Sequence, residues 1–163
     1  MILTPSLVFA IIALGCVAAA PIFDLLRFEI PDSLSIVIAL AAVAYAIATP
    51  GFGWVSHLAS TGLVFAVGLL AFARGWMGGG DVKLLTAIAA WTGLAGLPMQ
   101  LIATAVAGGV LALVLIMTRR GLALAGVDLE RAPRLFQSDA PLPYAVAIAA
   151  GTFWWAARAW PLT

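Results

Sequence analysis

Residues 6–23, SLVFAIIALGCVAAAPIF, run without a single charge and stop at Asp24. A helix needs about 20 predominantly apolar residues to cross a bilayer, and this run approaches that length. Comparable runs follow at 34–49, 55–73, 82–97, 101–117 and 144–160. Of the 163 residues, 64% are apolar and 9% are charged, whereas roughly a quarter of the residues in a soluble domain carry charge. Six spans would consume about 120 residues, so no separate soluble domain fits. The expectation is an all-α polytopic membrane protein: a bundle of six transmembrane helices forming one integral-membrane domain over 1–163.

Turn residues separate the runs. Pro31, Asp32 and Ser33 start the second helix, Pro50 to Gly53 end it, and Pro141, Leu142 and Pro143 precede the sixth. Between the fourth and fifth runs the turn is expected around Pro98. Because 82–97 is short, a re-entrant pair is the alternative at that point. Ala18, Ala19 and Ala20 imitate a signal-peptide cleavage site, but no Lys or Arg precedes them. The first run is therefore expected to be retained as a span.

Charge placement orients the bundle. Arg27, Arg74, Lys83, Arg119, Arg120, Arg131 and Arg134 fall in the first, third and fifth connections, and only Arg158 lies elsewhere. The carboxylates Asp24, Glu29, Asp32, Asp81, Asp128, Glu130 and Asp139 cluster in or beside the same connections. Under the positive-inside rule those connections are cytoplasmic, so the N-terminus and C-terminus lie outside. Trp54, Trp154, Trp155 and Trp160 then belong to an outer aromatic belt and Trp76 to an inner one. A formal net charge of +1 offers no basic footprint for nucleic acid. The connection 118–140 holds either a short interfacial helix or an irregular loop.

One cysteine and one histidine cannot build a four-ligand zinc site or a disulfide framework. Cys16, within the first run, reads as packing, and His57 as an interfacial residue on the outer side. Chemistry must therefore come from carboxylates. Asp24 closes the first span and Asp81 opens the fourth, at the same expected depth, where an ionisable group is a functional hypothesis by default. The structural alternative is that Asp81 caps a helix and Asp24 pairs with Arg27. Gly78, Gly79 and Gly80 precede Asp81; they remove side-chain bulk and permit unusual backbone conformations, so a substrate backbone can approach. Paired aspartates that share one proton can activate water and protonate a leaving amine. Helix ends then suggest roles, with Asp81 as base at a positive N-terminus and Asp24 as acid at a negative C-terminus.

Met77-Gly78-Gly79-Gly80-Asp81-Val82-Lys83 resembles the Gly-x-Gly-Asp segment of the type IV prepilin peptidases, which are membrane aspartic proteases. Asp24 followed by Ile30-Pro31-Asp32 resembles that family's other aspartate motif, and Pro143 to Gly151 is similar to the start of its last helix. The chain looks most like the small CpaA/TadV type, without the paired cysteines of members that also methylate. The resemblance implies an aspartic endopeptidase that needs no cofactor and no metal. It would cleave a short basic leader from a prepilin at the cytoplasmic face of the inner membrane. Asp24 and Asp81 would be catalytic, while Gly78, Gly79, Gly80, Lys83 and Arg27 would bind substrate or set site geometry. Two positions depart from the pattern: Asp32 stands where Asn is common, and Leu26 where Arg is common. A proton- or ion-coupled transporter and a non-catalytic pilus or secretion assembly subunit are the alternative functions.

Overall fold

A computed structural model describes residues 5–137 and 140–159; Asp139 and Trp160 lie outside the described residues. The helices are α1 (Pro5–Arg27), α2 (Asp32–Ala48), α3 (Trp54–Ala73), α4 (Gly79–Leu124) and α5 (Tyr144–Ala159), with a one-turn 3-10 helix at Arg134–Phe136. No strand occurs among the described residues. α1, α3 and α4 are long and apolar enough to cross a membrane, and α2 is shorter and apolar.

The interior is rich in alanine and holds a few large apolar side chains, Ile38, Leu84, Ile88 and Ile148 among them. α1 buries Ala10, Ala13, Val17, Ala20 and Asp24, a three-to-four-residue spacing that puts all five on one face. Larger apolar residues such as Ile11, Ile22, Leu40, Ile47, Val55, Phe65, Ile102 and Met117 point outward. That arrangement suits a hydrocarbon solvent, in which close backbone approach holds helices together. Gly151 of α5 packs directly on the backbone of Thr104, and a Cβ there would lie 2.5 Å from Thr104 N. Nearby, the Gln100 Nε2 amide donates to Thr104 Oγ1 at 3.2 Å and to Thr152 Oγ1 at 3.4 Å.

α4 is not one continuous rod. Gly93 interrupts it with φ 59° and ψ 179°, a conformation essentially confined to glycine. A helix break leaves carbonyls and N–H groups without partners, and the first turns of α3 supply them. Ser60 Oγ donates to Ala89 O at 2.7 Å, His57 Nδ1 donates to Ala90 O at 2.9 Å, and Leu94 N–H donates to Ser56 Oγ at 2.9 Å. Beyond the break, Gly96 packs on Trp155, Thr104 on Gly151, and Gly108 on Tyr144, so residues 94–124 run antiparallel to α5. Asp81, at the start of α4, lines the same cleft as Tyr144. The chain therefore doubles back at Gly93, and not at Pro98 as the turn-residue reading expects. Pro98 lies inside the second half, close to its start, and the helix passes through it.

Two further expectations change. Trp155 is buried against the core instead of anchoring in a belt, whereas Trp54, Trp76 and Trp154 are exposed. The 118–140 connection begins as a continuation of α4 to Leu124 and later forms the single 3-10 turn. Arg119 holds it by donating from Nη2 to Leu135 O at 2.8 Å and Ala140 O at 3.2 Å. At the opposite end, the Arg158 guanidinium stacks 3.7 Å from the centre of the Trp154 ring.

Candidate active site

Asp24 lies in the last turn of α1, on the face shared with Ala13, Val17 and Ala20, and is only 7% exposed. Its partner is not Arg27, which the structural alternative pairs with it at i, i+3 spacing. Arg27 extends over the Phe23 ring at 6.0 Å, while Asp24 Oδ2 accepts a 2.9 Å hydrogen bond from Ala145 N–H in the first turn of α5. Pro143 immediately precedes that turn, and Tyr144 is the first helical residue.

Asp81 is half-buried in the first turn of α4, which begins at Gly79, two residues earlier than the carboxylate. Gly78 is the N-cap, with φ −67° and ψ 145°, and its N–H donates to the Asp81 carboxylate. This is half of a capping box, in which the third helical residue reaches back to the cap N–H. The three glycines serve contact, not unusual backbone torsions, because none has positive φ. A Cβ on Gly78 would lie 3.0 Å from Asp81 Oδ2, one on Gly79 3.3 Å from the Phe72 ring, and one on Gly80 3.2 Å from Ile30 Cβ.

Asp24 and Asp81 face one cleft of about 610 Å³, shared with Phe28, Trp76, Pro141 and Tyr144, and lie within electrostatic reach of each other. Each carboxylate thus receives a backbone N–H from the start of a helix. The helix-end contrast inferred from sequence does not separate their roles, because α5 brings its positive N-terminal end to Asp24.

The other expected residues fall outside this pair. Lys83 Nζ donates to both oxygens of Asp32, at 2.7 and 2.8 Å, instead of reaching the two carboxylates. His57 is at the Gly93 break and Cys16 is a free thiol within α1. No group of three His, Cys, Asp or Glu side chains arranged to hold a metal occurs among the described residues. Tyr144 and the Ala145 N–H are site components that local sequence reading does not reveal. Their signals are the proline-rich entry to α5 and the resemblance carried by Pro143 to Gly151, neither of which says that they meet Asp24.

Two carboxylates in one water-accessible recess, with glycine clearing the approach to one of them, form an arrangement suited to general acid–base chemistry. Residues 6–113 match the model of the type IV leader peptidase family. The chain belongs to that family. No curated protein and no solved structure matches it. The type IV leader peptidase match includes Asp24, Asp81 and the first part of α4's second half, and stops short of α5. The contact from Ala145 to Asp24 therefore ties the remaining helix to the matched region.

Proposed function

We propose that this protein is a membrane aspartic endopeptidase that removes the short basic leader of type IV prepilins of the Flp/Tad kind. The observation that carries the reading is the shared cleft of Asp24 and Asp81. In the singly protonated pair, the ionised carboxylate takes a proton from water as its oxygen attacks the scissile carbonyl carbon. The protonated carboxyl donates to the carbonyl oxygen. Collapse of the tetrahedral intermediate breaks the C–N bond, and the leaving amine takes up the proton acquired from water. Positioned acid–base groups of this kind contribute about 10²–10⁴-fold each.

The bundle crosses the inner membrane six times: α1, α2, α3, residues 79–92, residues 94–124 and α5. Arg27, Arg74, Lys83, Arg119, Arg120, Arg131 and Arg134 put the cleft on the cytoplasmic side, where a basic leader waits before translocation. Asp81 and Gly93 are separated by roughly 18 Å of helix at 1.5 Å per residue, against a hydrocarbon core of about 30 Å. The short fourth crossing draws Asp81 below the inner surface, to the depth at which an apolar helix following a leader begins. Prepilin cleavage is therefore a reaction at a recessed boundary, with water supplied through the cleft.

Co-expression with a prepilin from the same genome tests this reading. The wild-type chain is expected to shorten the prepilin by its leader, and Asp24→Asn or Asp81→Asn to abolish that shift while the protein still accumulates in the membrane. Unchanged processing by either variant overturns the two-aspartate mechanism. Proton-coupled solute flux without cleavage would support the transporter alternative.

A further inference from the structure

The turn joining α1 to α2 grips the first turn of α4 on both sides of Asp81. Ile30 packs on Gly80 so closely that a Cβ there would stand 3.2 Å from Ile30 Cβ. Asp32, the first residue of α2, accepts two hydrogen bonds from Lys83 Nζ, at 2.7 and 2.8 Å. The same turn begins at Phe28, one helical turn after Asp24. It contains Phe28 at φ 53°, a left-handed conformation unfavourable for a bulky side chain and found where surrounding contacts over-determine it. Arg134 lies over the Phe28 ring at 5.5 Å and covers the turn from the α4–α5 connection. Pro31, with φ −59°, is the N-cap of α2 and stiffens the link between the two grips.

We infer that this turn is a clamp that sets the separation of Asp24 and Asp81, with Asp32 and Lys83 as its positioning residues. The inference rests on the reading of Asp24 and Asp81 as the working pair. Asp24 and Asp81 sit on different helices, and α1 touches the start of α4 through this turn. Sliding the turn along α4 would carry Asp24 with it. The ion pair is more than half exposed on both side chains, and such pairs add little to global stability. Reaction geometry is far more sensitive, because a misplacement of 1 Å can cost about 10²-fold in rate. Lys83 is thus expected to matter to turnover much more than to folding.

Two measurements test the clamp. With purified enzyme and a purified prepilin in vesicles, Lys83→Met is expected to lower kcat at least about tenfold with KM changed less than about twofold and the unfolding midpoint unchanged. Asp32→Asn, which keeps an acceptor for Lys83, is expected to stay within about threefold of wild type. The exchange pair Asp32→Lys with Lys83→Asp is expected to recover most of the loss. A raised KM at constant kcat, or an exchange no better than its single variants, overturns the clamp in favour of direct substrate contact by Lys83.

The second measurement needs no catalysis. In a Cys16→Ser background, spin labels at Leu26 on α1 and Thr86 on α4 report the α1-to-α4 spacing. Lys83→Met is expected to broaden that distance distribution, and an unchanged distribution overturns the clamp. A wild-type enzyme that cleaves no prepilin would remove the proposed function, while the distance measurement would still decide the clamp.

Discussion

Replacing Gly93 by alanine should cost stability, while the same chemical change at Gly109 should not. Gly93 has φ 59° and ψ 179°, and a Cβ there would stand 3.0 Å from both His57 Nε2 and Ser56 Oγ. The backbone strain alone costs of order 1–3 kcal/mol. Moving His57 and Ser56 to relieve the contact loosens the bonds to Ala90 O and Leu94 N–H, each worth about 0.5–1.5 kcal/mol net. Against these stands a gain of about 0.4–1 kcal/mol from the stiffer unfolded chain. The expected net loss for Gly93→Ala is about 1–5.5 kcal/mol. Gly109 is also within α4, but nothing stands within 4 Å of its added Cβ. There alanine should be neutral or stabilising by up to about 1 kcal/mol. Reversible unfolding of both variants in the same detergent micelle, followed by circular dichroism, makes the comparison. Equal shifts for the two variants would refute the placement of the helix reversal at Gly93.

Gly151→Ala should destabilise by more than about 1 kcal/mol, as overpacking does, because its Cβ would press on the backbone of Thr104; thermal unfolding checks it. Gly78→Ala should leave the unfolding midpoint near wild type but lower cleavage at least about tenfold, because the new methyl meets Asp81 Oδ2 at 3.0 Å and a displaced acid or base loses most of its effect; kcat on a purified prepilin measures it. The pH profile of kcat/KM should be bell-shaped, since activity needs one proton on the pair. On the acid side the second carboxylate binds a proton and the base is lost; on the alkaline side the remaining proton leaves and the acid is lost. A profile that rises to a plateau with no alkaline fall would refute a shared-proton pair.

Much of the helical pattern follows from local rules. The apolar runs mark α1, α2, α3 and α5 closely, because in a bilayer every backbone polar group must be satisfied within the helix itself. The inward face of Asp24 is also legible, since Ala10, Ala13, Val17 and Ala20 share its helical register. The reversal in α4 lies at Gly93, five residues before the Pro98 that turn rules favour, because local rules take proline as a stop. Pro98 is tolerated near a helix start, and the real break depends on Ser56, His57 and Ser60, which are distant in sequence. The bond from His57 to Ala90 O is likewise invisible to a local reading. The partners of Asp24 and Lys83 were hidden for the same reason: Ala145 is 121 residues from Asp24, and Asp32 is 51 from Lys83. Periodicity says which face a residue occupies, not which helix will be docked against it.

The proposed function stands or falls with Asp24 and Asp81 acting together on a prepilin. The most direct measurement is mass spectrometry of a purified prepilin after incubation with the purified, vesicle-reconstituted enzyme, in parallel with Asp24→Asn and Asp81→Asn. A single cleavage just ahead of the prepilin's apolar helix is expected for the wild-type enzyme, and intact precursor for both variants. Leader release by either variant at the wild-type rate would contradict it.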